Sequence, residues 1–274
     1  MVQLMVLPLS TVGMLFGSSS SSGGINYSLL TGGTNSSGGV AATAGSIKAA
    51  LINAEKNEAK QVAQVAKDPQ IVKDLTRYEK VVKNAKSLDD VLNDPVARRV
   101  FMTANGLKDF ADYTGMAKKV LASDPSDTSS PAAKLASVNG TWYDTVKKYP
   151  VGLAGIGVLQ ISDAVAEVKN NYLAEKRLDM LDAQMPGLGS AVLFKQVASK
   201  LEDATDVLAS GLGREVVTTA FGIPKQIAVQ SLVAQEKAIN QRVDVSKFKN
   251  ASYVDIIAQR YLLALNGGLG GVTA

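Results

Sequence analysis

The sequence contains neither cysteine nor histidine among its 274 residues. Structural zinc sites, disulfides, thiol nucleophiles and imidazole acid–base chemistry each need one of these two residue types, so the composition excludes them. A lack of cysteine suits a reducing compartment, and it equally suits a protein that leaves the cell, where a stray thiol risks unwanted crosslinks. The composition leaves both interpretations open.

Charge is missing from the start of the chain. The first 47 residues carry no charged side chain, and Lys48 is the first. Between Gly17 and Ser46 the sequence consists mostly of Ser, Gly, Thr and Asn, a composition too polar to bury and too rich in glycine to hold a helix. We therefore interpret residues 1–46 as an uncharged Ser/Gly-rich arm, disordered when isolated, that acts as a tether, an export signal or an arm ordered by a partner.

Long hydrophobic runs are also absent. Residues 1–16 are apolar, but they lack a basic start and are interrupted at Pro8 and Gly13. The apolar run over residues 151–159 is shorter and contains three glycines. Because a membrane-spanning helix needs about 20 apolar residues, we expect no membrane span and no cleaved signal peptide.

Basic residues outnumber acidic residues only slightly. The net charge is +4, and the 29 Lys and Arg residues are interleaved with 25 Asp and Glu residues. Nucleic-acid binding needs a concentrated basic face, whereas pairs such as Arg98-Arg99 and Lys147-Lys148 are short and isolated. We therefore expect protein partners, including self-association, and no nucleic acid.

Apolar residues at helical spacing predict an all-α fold. Ile47, Leu51 and Ala54 recur on one helical face, and Asp68-Pro69 and Asp94-Pro95 each combine an N-cap with a proline suited to the first helical position. No segment alternates as a strand would. We expect helices over residues 46–66, 69–85, 96–105, 109–122, 159–183, 191–209, 224–243 and 252–265, with two shorter ones before residue 150.

The chain contains an internal similarity at an offset of 116 residues. Over residues 90–106, eight of 17 positions are identical to those of residues 206–222, where average composition predicts about one. The identical positions include Asp90 with Asp206, Arg98 with Arg214, and Gly106 with Gly222. We therefore predict a helical bundle built by duplication, with repeats over 47–150 and 151–265 and a flexible tail over 266–274.

Arg98 and Arg214 are the tentative interaction residues, because they are the basic pair that is identical in the two segments. They are either equivalent sites for an anion or a partner, or structural residues. In the second case their stems pack while their heads satisfy a helix C-terminus or the repeat's own Asp90 and Asp206.

Catalytic and cofactor motifs are not found. There is no phosphate-binding P-loop, the Gly187-Leu188-Gly189 segment follows a helix rather than a strand, and a Ser-His-Asp triad is impossible without histidine. We expect no enzyme activity, no metal and no cofactor.

Several stretches resemble domain-of-unknown-function family 1217, an uncharacterised bacterial family found mostly in α-proteobacteria. They include residues 93–107, residues 218–226, Gln235-Glu236-Lys237-Ala238-Ile239 and residues 242–248. The resemblance covers roughly residues 62–265 and leaves out the arm. It implies a helical protein, often encoded among flagellar genes, and it supplies no catalytic residues or cofactors.

Together these features predict a non-enzymatic structural or assembly component of the bacterial flagellum, exported through the flagellar type III apparatus. The alternative is a cytoplasmic helical adaptor or chaperone that binds a partner helix. A third reading, an enzyme using Asp, Lys or Ser between the repeats, would need a pocket with converging carboxylates. The glycine-rich C-terminus, unlike a long assembly helix, favours an accessory or junction role over a filament subunit.

Overall fold

The computed structural model describes residues 42–136 and 139–267. Residues 1–41 of the predicted arm, and all but the first two residues of the predicted tail, lie outside this range. The described part of the arm is already helical, because the first helix begins at Ala44. Thr43 caps that helix in a reciprocal capping box with Ser46.

The described residues are helical and contain no strand, which confirms the all-α prediction. In chain order the α-helices are α1 (Ala44–Lys56), α2 (Glu58–Val65), α3 (Pro69–Asn84), α4 (Leu88–Asn93), α5 (Pro95–Ala104), α6 (Thr114–Leu121), α7 (Pro131–Leu135), α8 (Gly140–Lys148), α9 (Val151–Ala154), α10 (Gly157–Gln160), α11 (Ser162–Gln184), α12 (Leu188–Val197), α13 (Ala204–Ala209), α14 (Gly211–Ala220), α15 (Leu232–Asn240) and α16 (Ala251–Leu265). Four 3₁₀ turns span Lys108–Phe110, Ala198–Lys200, Lys225–Val229 and Val245–Lys249. None of the described helices is long and apolar enough to cross a membrane.

Four of the predicted helices are broken. The one expected over 109–122 is α-helical only over Thr114–Leu121, after a 3₁₀ turn at Lys108–Phe110. The helix expected over 46–66 is interrupted at Asn57, which closes α1 with a backbone bond to the Asn53 carbonyl. The one expected over 191–209 divides where Asp203 caps α13. The one expected over 224–243 starts as a 3₁₀ turn before α15. In these last three, apolar periodicity continues past a local capping signal: Asn57 ends one helix, whereas Asp203 and Ser231 each start the next one.

The chain divides into two compact units. Among the described residues, unit 1 holds 60–136 and 139–176, and unit 2 holds 42–59 and 177–267. This division differs from the one proposed at residue 150 for two reasons. Helix α1 packs on α12 and α16 and so belongs with the later helices. Helix α11 starts in unit 1 and ends in unit 2, so the boundary falls inside a helix rather than at a loop.

Unit 1 is built around the pair α3 and α5, with α6 and α8 packed beside each other. Tyr78, Val100 and Trp142 are fully buried. The Trp142 ring meets Phe110 edge-on at a centroid distance of 5.6 Å. An aromatic side chain buries about 150–250 Å², so each of these rings is a large single contribution to the core.

Unit 2 is built around α12, α14 and α16, and α1 packs against α12 and α16. The Phe194 and Phe248 rings meet edge-on at 5.7 Å. Ile47 of α1 is fully buried, so the first charged stretch of the chain contributes an apolar face to this core rather than extending the arm.

Positions 116 residues apart form matching helices. Helices α4 and α13, and likewise α5 and α14, have bounds separated by that offset at both ends. Gly106 and Gly222 both take positive φ, 70° and 61°. The next amides, of Leu107 and Ile223, bond back to Met102 and Thr218 at 2.8 Å, which is the pattern of a Schellman C-cap. A common origin of the two segments stays a prediction.

Candidate functional site

Arg98 is held against backbone carbonyls of its own unit. It lies on α5, one turn after the Asp94 N-cap. Its Nε donates to the Ala111 carbonyl at 2.6 Å and its Nη1 to the Leu92 carbonyl at 2.7 Å. The Leu92 carbonyl belongs to the last turn of α4, where carbonyls have no helical partner. Half-buried Arg98 therefore closes one helix end and ties it to the loop after α5.

Arg214 repeats half of this arrangement. Its Nη1 donates to the Leu208 carbonyl at 3.4 Å, and Leu208 lies 116 residues after Leu92 in the last turn of α13. The side chain is exposed. Among the described residues Arg214 makes no bond that corresponds to the one between Arg98 and Ala111. The two arginines share a place in the fold but differ in how firmly they are held.

A polar cluster links three helices of unit 1 through the carboxylate of Asp74. Arg99 Nη2 lies 3.1 Å from both oxygens of Asp74, and the Tyr172 hydroxyl donates to Oδ2 at 2.8 Å. Gln70 Nε2 donates to Oδ1 at 2.8 Å. Burial, together with the bond to Asp74, raises the pKa of Tyr172. Asp74 is buried, and its acceptor sites are filled by the protein itself, as a buried carboxylate requires.

Unit 2 contains a related pair. The Tyr261 hydroxyl donates to Glu215 Oε1 at 2.7 Å, and Glu215 stands 116 residues after Arg99. Burial first, and then the charge of Glu215, raise the pKa of Tyr261. In each unit a tyrosine bonds a carboxylate on another helix, and that carboxylate lies on α3 in unit 1 and on α14 in unit 2.

Lys195 joins three helices of unit 2. Its ammonium on α12 pairs with Glu55 of α1 and Asp255 of α16. Burial lowers the pKa of Lys195, but the bonds to the two carboxylates outweigh it and raise that pKa. A lysine held as a cation between two acids links the three helices, whereas a nucleophilic lysine needs a lowered pKa.

A shallow, open depression in unit 2 is lined mainly by polar groups, including Glu202, Asp203, Asp244 and Ser246. In the residues that the structure describes, no group of three or more Asp and Glu side chains is placed to hold a metal ion. Two of these acids already have partners nearby: Asp203 caps α13 through its side chain, and Asp244 Oδ1 accepts from the Ser246 hydroxyl.

The pairs of Tyr172 with Asp74 and of Tyr261 with Glu215 have no signature in the sequence. Each partner lies on a different helix, so spacing along the chain carries no direct sign of the contact. The available signal was a single acid and a single tyrosine on otherwise apolar helical faces, where a buried polar group needs a partner.

The comparisons with known proteins place the chain in a family. The family model described as "Protein of unknown function (DUF1217)" matches residues 104–254, more than half of the chain. The chain belongs to the DUF1217 family. The match includes Arg214 and α15 and leaves out Arg98, and it confirms the resemblance seen in the sequence.

A solved structure shares the fold of this DUF1217 member. It is the X-ray structure of protein AGR_C_984 from Agrobacterium tumefaciens, a structural genomics target. The two chains are 20% identical, with a TM-score of 0.65, and the similarity covers 85% of this chain and 99% of the other. At this identity the likeness establishes the fold alone. No curated protein matches this DUF1217 member.

Proposed function

We propose that this chain is a non-enzymatic structural or assembly component of the bacterial flagellum, exported by the flagellar type III apparatus through its uncharged N-terminal arm. The observation that carries the proposal is the contrast between the 47 residues without charge and the helical body that follows. Substrates of that apparatus resemble this chain in having an uncleaved N-terminus of low complexity and few or no cysteines.

The polar groups of the body support a structural role. Asp74, Arg99 and Tyr172 bond to one another, and Lys195 is enclosed by two acids. Enzyme sites place titratable groups where a substrate reaches them, whereas these groups link one helix to the next. We propose that the body is a scaffold and that its two units arose by duplication.

Export is tested with a reporter fused to residues 1–47 and produced in flagellated cells. The expected result is reporter in the medium, and none in the medium of a strain whose flagellar export gate is deleted. A matched control carries acidic residues in place of Leu4 and Leu7, which puts charge into the otherwise uncharged arm. Retention of the unmodified fusion inside wild-type cells would refute export.

The second candidate is a cytoplasmic helical adaptor or chaperone. It is favoured by exposed apolar side chains in the 3₁₀ turn Lys225–Val229 and the first turn of α15, where Val229 and Val233 are 90% and 74% exposed. It predicts that the full-length protein stays in the cytosol of wild-type cells and elutes together with a flagellar protein. Recovery of the protein in isolated basal bodies would contradict it.

A further inference from the structure

Helix α1 and the first part of α11 stand at equivalent places in the chain. Helices α1 and α2 run together over residues 44–65 and are separated only by Asn57, whereas α11 runs over residues 162–184 as one helix. The starts of these two stretches are 118 residues apart and their ends 119, close to the offset of 116 that relates α4 to α13 and α5 to α14. Helix α1 and the first part of α11 are therefore the leading helices of two matching segments.

Each leading helix packs in the unit that contains the other segment. Among the described residues, the chain passes from unit 2 to unit 1 after Ala59, and back to unit 2 after Lys176. These two crossings are 117 residues apart. Unit 1 therefore combines the helices of the first segment with the leading helix of the second, and unit 2 combines the helices of the second segment with α1.

An ion pair at matching positions holds the leading helix in each unit. In unit 1, Lys169 of α11 pairs with Glu79 of α3. In unit 2, Glu55 of α1 pairs with Lys195 of α12. Lys195 stands 116 residues after Glu79. The acid and the base have changed sides, but both pairs join a leading helix to the same position of the segment that it packs on.

The earlier part of each leading helix lies at the end of a second matching helix. In unit 1, Glu167 of α11 accepts from the hydroxyl of Tyr149, which follows α8. In unit 2, the amide of Ala42, before α1, donates to the carbonyl of Asn266, which follows α16, at 3.3 Å. Asn266 stands 117 residues after Tyr149. The two leading helices therefore cross their units in the same direction.

We propose that α1 is an exchangeable closing helix through which copies of this chain assemble, so that α1 of one copy completes unit 2 of a second copy. The two segments of one chain already pack each other's leading helix, so a unit of this fold is closed by a helix that comes from a different segment. An exchange between copies makes the same contacts as the closed chain, because each unit 2 receives the same helix. Such swapping of an identical element is a low-cost route to dimers.

Unit 2 depends on α1 for part of its core. Ile47, Leu51 and Ala54 of α1 are buried, and the Ala54 carbonyl accepts from Arg177 Nη2 at 2.6 Å. Without α1, unit 2 exposes the surface that these side chains cover, and Lys195 loses one of its two acids. A unit 2 that has released its own α1 therefore favours the α1 of another copy.

The joint after α1 allows this helix to leave without unwinding. Asn57 alone separates α1 from α2, and the crossing into unit 1 follows two residues later. Helix α11, by contrast, is continuous across its own crossing at residues 176–177. A change of backbone angles at a helix end moves the whole helix as a rigid body. Of the two leading helices, α1 is therefore the one that passes between copies.

The absence of cysteine allows a clean test in the full chain. Ala42→Cys and Asn266→Cys are placed on two differently tagged chains that are coexpressed, so the thiols meet when α1 of one copy lies on unit 2 of the other. Mild oxidation should give a disulfide-linked dimer in about tenfold excess over the control pair of Ala42→Cys with Lys237→Cys on α15. Equal yields from the two pairs would overturn the proposal. The test uses purified protein and does not depend on export, so exchange and the proposed function fail separately.

A charge swap tests whether α1 is the connector. Lys195→Glu places an acid against Glu55, and Glu55→Lys places a base against Lys195, so each variant disfavours closure by its own α1. Coexpressed with different tags, the two variants should copurify about tenfold more than either variant with itself, because acids meet bases again in the mixed pair.

The matched control carries both substitutions, Glu55→Lys and Lys195→Glu, in one chain. It restores the opposite charges within that chain and should copurify with itself as the wild type does. Copurification of the mixed pair no greater than that of each variant with itself would refute the proposal. Far-UV circular dichroism of each variant checks that the helices are intact.

Discussion

Replacing each arginine of the repeat-related pair by methionine should reveal that Arg98 stabilises the protein more than Arg214 does. Methionine keeps an unbranched apolar stem and removes the guanidinium. Arg98 donates to two carbonyls at 2.6 and 2.7 Å and is half-buried. Arg214 donates to one carbonyl at 3.4 Å and is exposed. The same substitution therefore removes very different interactions in the two units.

The expected magnitudes follow from these bonds. A hydrogen bond from a charged donor contributes about 1.5–3 kcal/mol, and burial of an unsatisfied carbonyl costs about 1–3 kcal/mol. Because water can reach the half-buried site in part, we expect Arg98→Met to lower the free energy of unfolding by about 2–3 kcal/mol. A single long bond at an exposed side chain is worth less, so Arg214→Met should cost below about 1 kcal/mol.

Urea unfolding followed by two signals measures both variants. Trp142 is the single tryptophan and lies in unit 1, so its fluorescence reports that unit, while circular dichroism at 222 nm reports helices throughout. Arg98→Met should shift the fluorescence transition to lower urea, and Arg214→Met should leave it nearly in place. Equal shifts for the two variants, or a larger one for Arg214→Met, would refute the view that these carbonyl bonds determine the arginines' contribution.

Three further predictions rest on packing, capping and ionisation. Gly152→Ala should destabilise unit 1 by at least about 2 kcal/mol, because the added Cβ would clash with the Ala122 carbonyl oxygen. The matched control is Gly157→Ala, where the added Cβ meets open space, and this variant should be neutral or stabilising in thermal unfolding. Asp94→Ala should cost about 1–2 kcal/mol at neutral pH. Burial opposes ionisation of Asp94, but bonds from Ala97 and Arg77 outweigh it and lower the pKa below its ordinary value, so in urea titrations the difference from wild type should persist down to the ordinary carboxyl pKa and shrink as the pH falls further. Burial is the main reason why the pKa is raised above the ordinary 10 in four tyrosines: Tyr78, Tyr149, Tyr172 and Tyr261. Because these tyrosines ionise more readily in the unfolded chain, the folded form loses stability as the pH rises above 10. Absorbance at 295 nm should therefore show them ionising only as the chain unfolds.

Helix ends are the part of this fold that the sequence predicts well. Asp68-Pro69 and Asp94-Pro95 start α3 and α5 as expected, and Gly106 follows the end of α5 in a left-handed conformation. These features depend on a side chain and the backbone within three or four residues of it. Such local interactions are visible in the sequence because both partners lie in the same short window.

The assignment of helices to units could not be predicted in the same way. Helix α1 belongs with α12 and α16, more than 130 residues away in the chain. The contacts that place it there, the burial of Ile47 and the pairing of Glu55 with Lys195, involve residue types found on any amphipathic helix. Periodicity shows that a helix has an apolar face, but not which other face covers it.

A comparison of the two units separates local helix signals from long-range packing within one chain. Helix bounds and C-caps match at the offset of 116, because each is determined by neighbouring residues. The packing of the helix after them matches only in part: Tyr113 and Val229 are both exposed, at 61% and 90%, whereas Ala117 is fully buried and Val233 is 74% exposed. A change in long-range packing leaves the local signals intact, so two segments can keep the same helices and differ in which apolar side chains they bury. Burial at position 233 therefore depends on residues far along the chain, which is why the matching helix signals at the offset of 116 do not predict it.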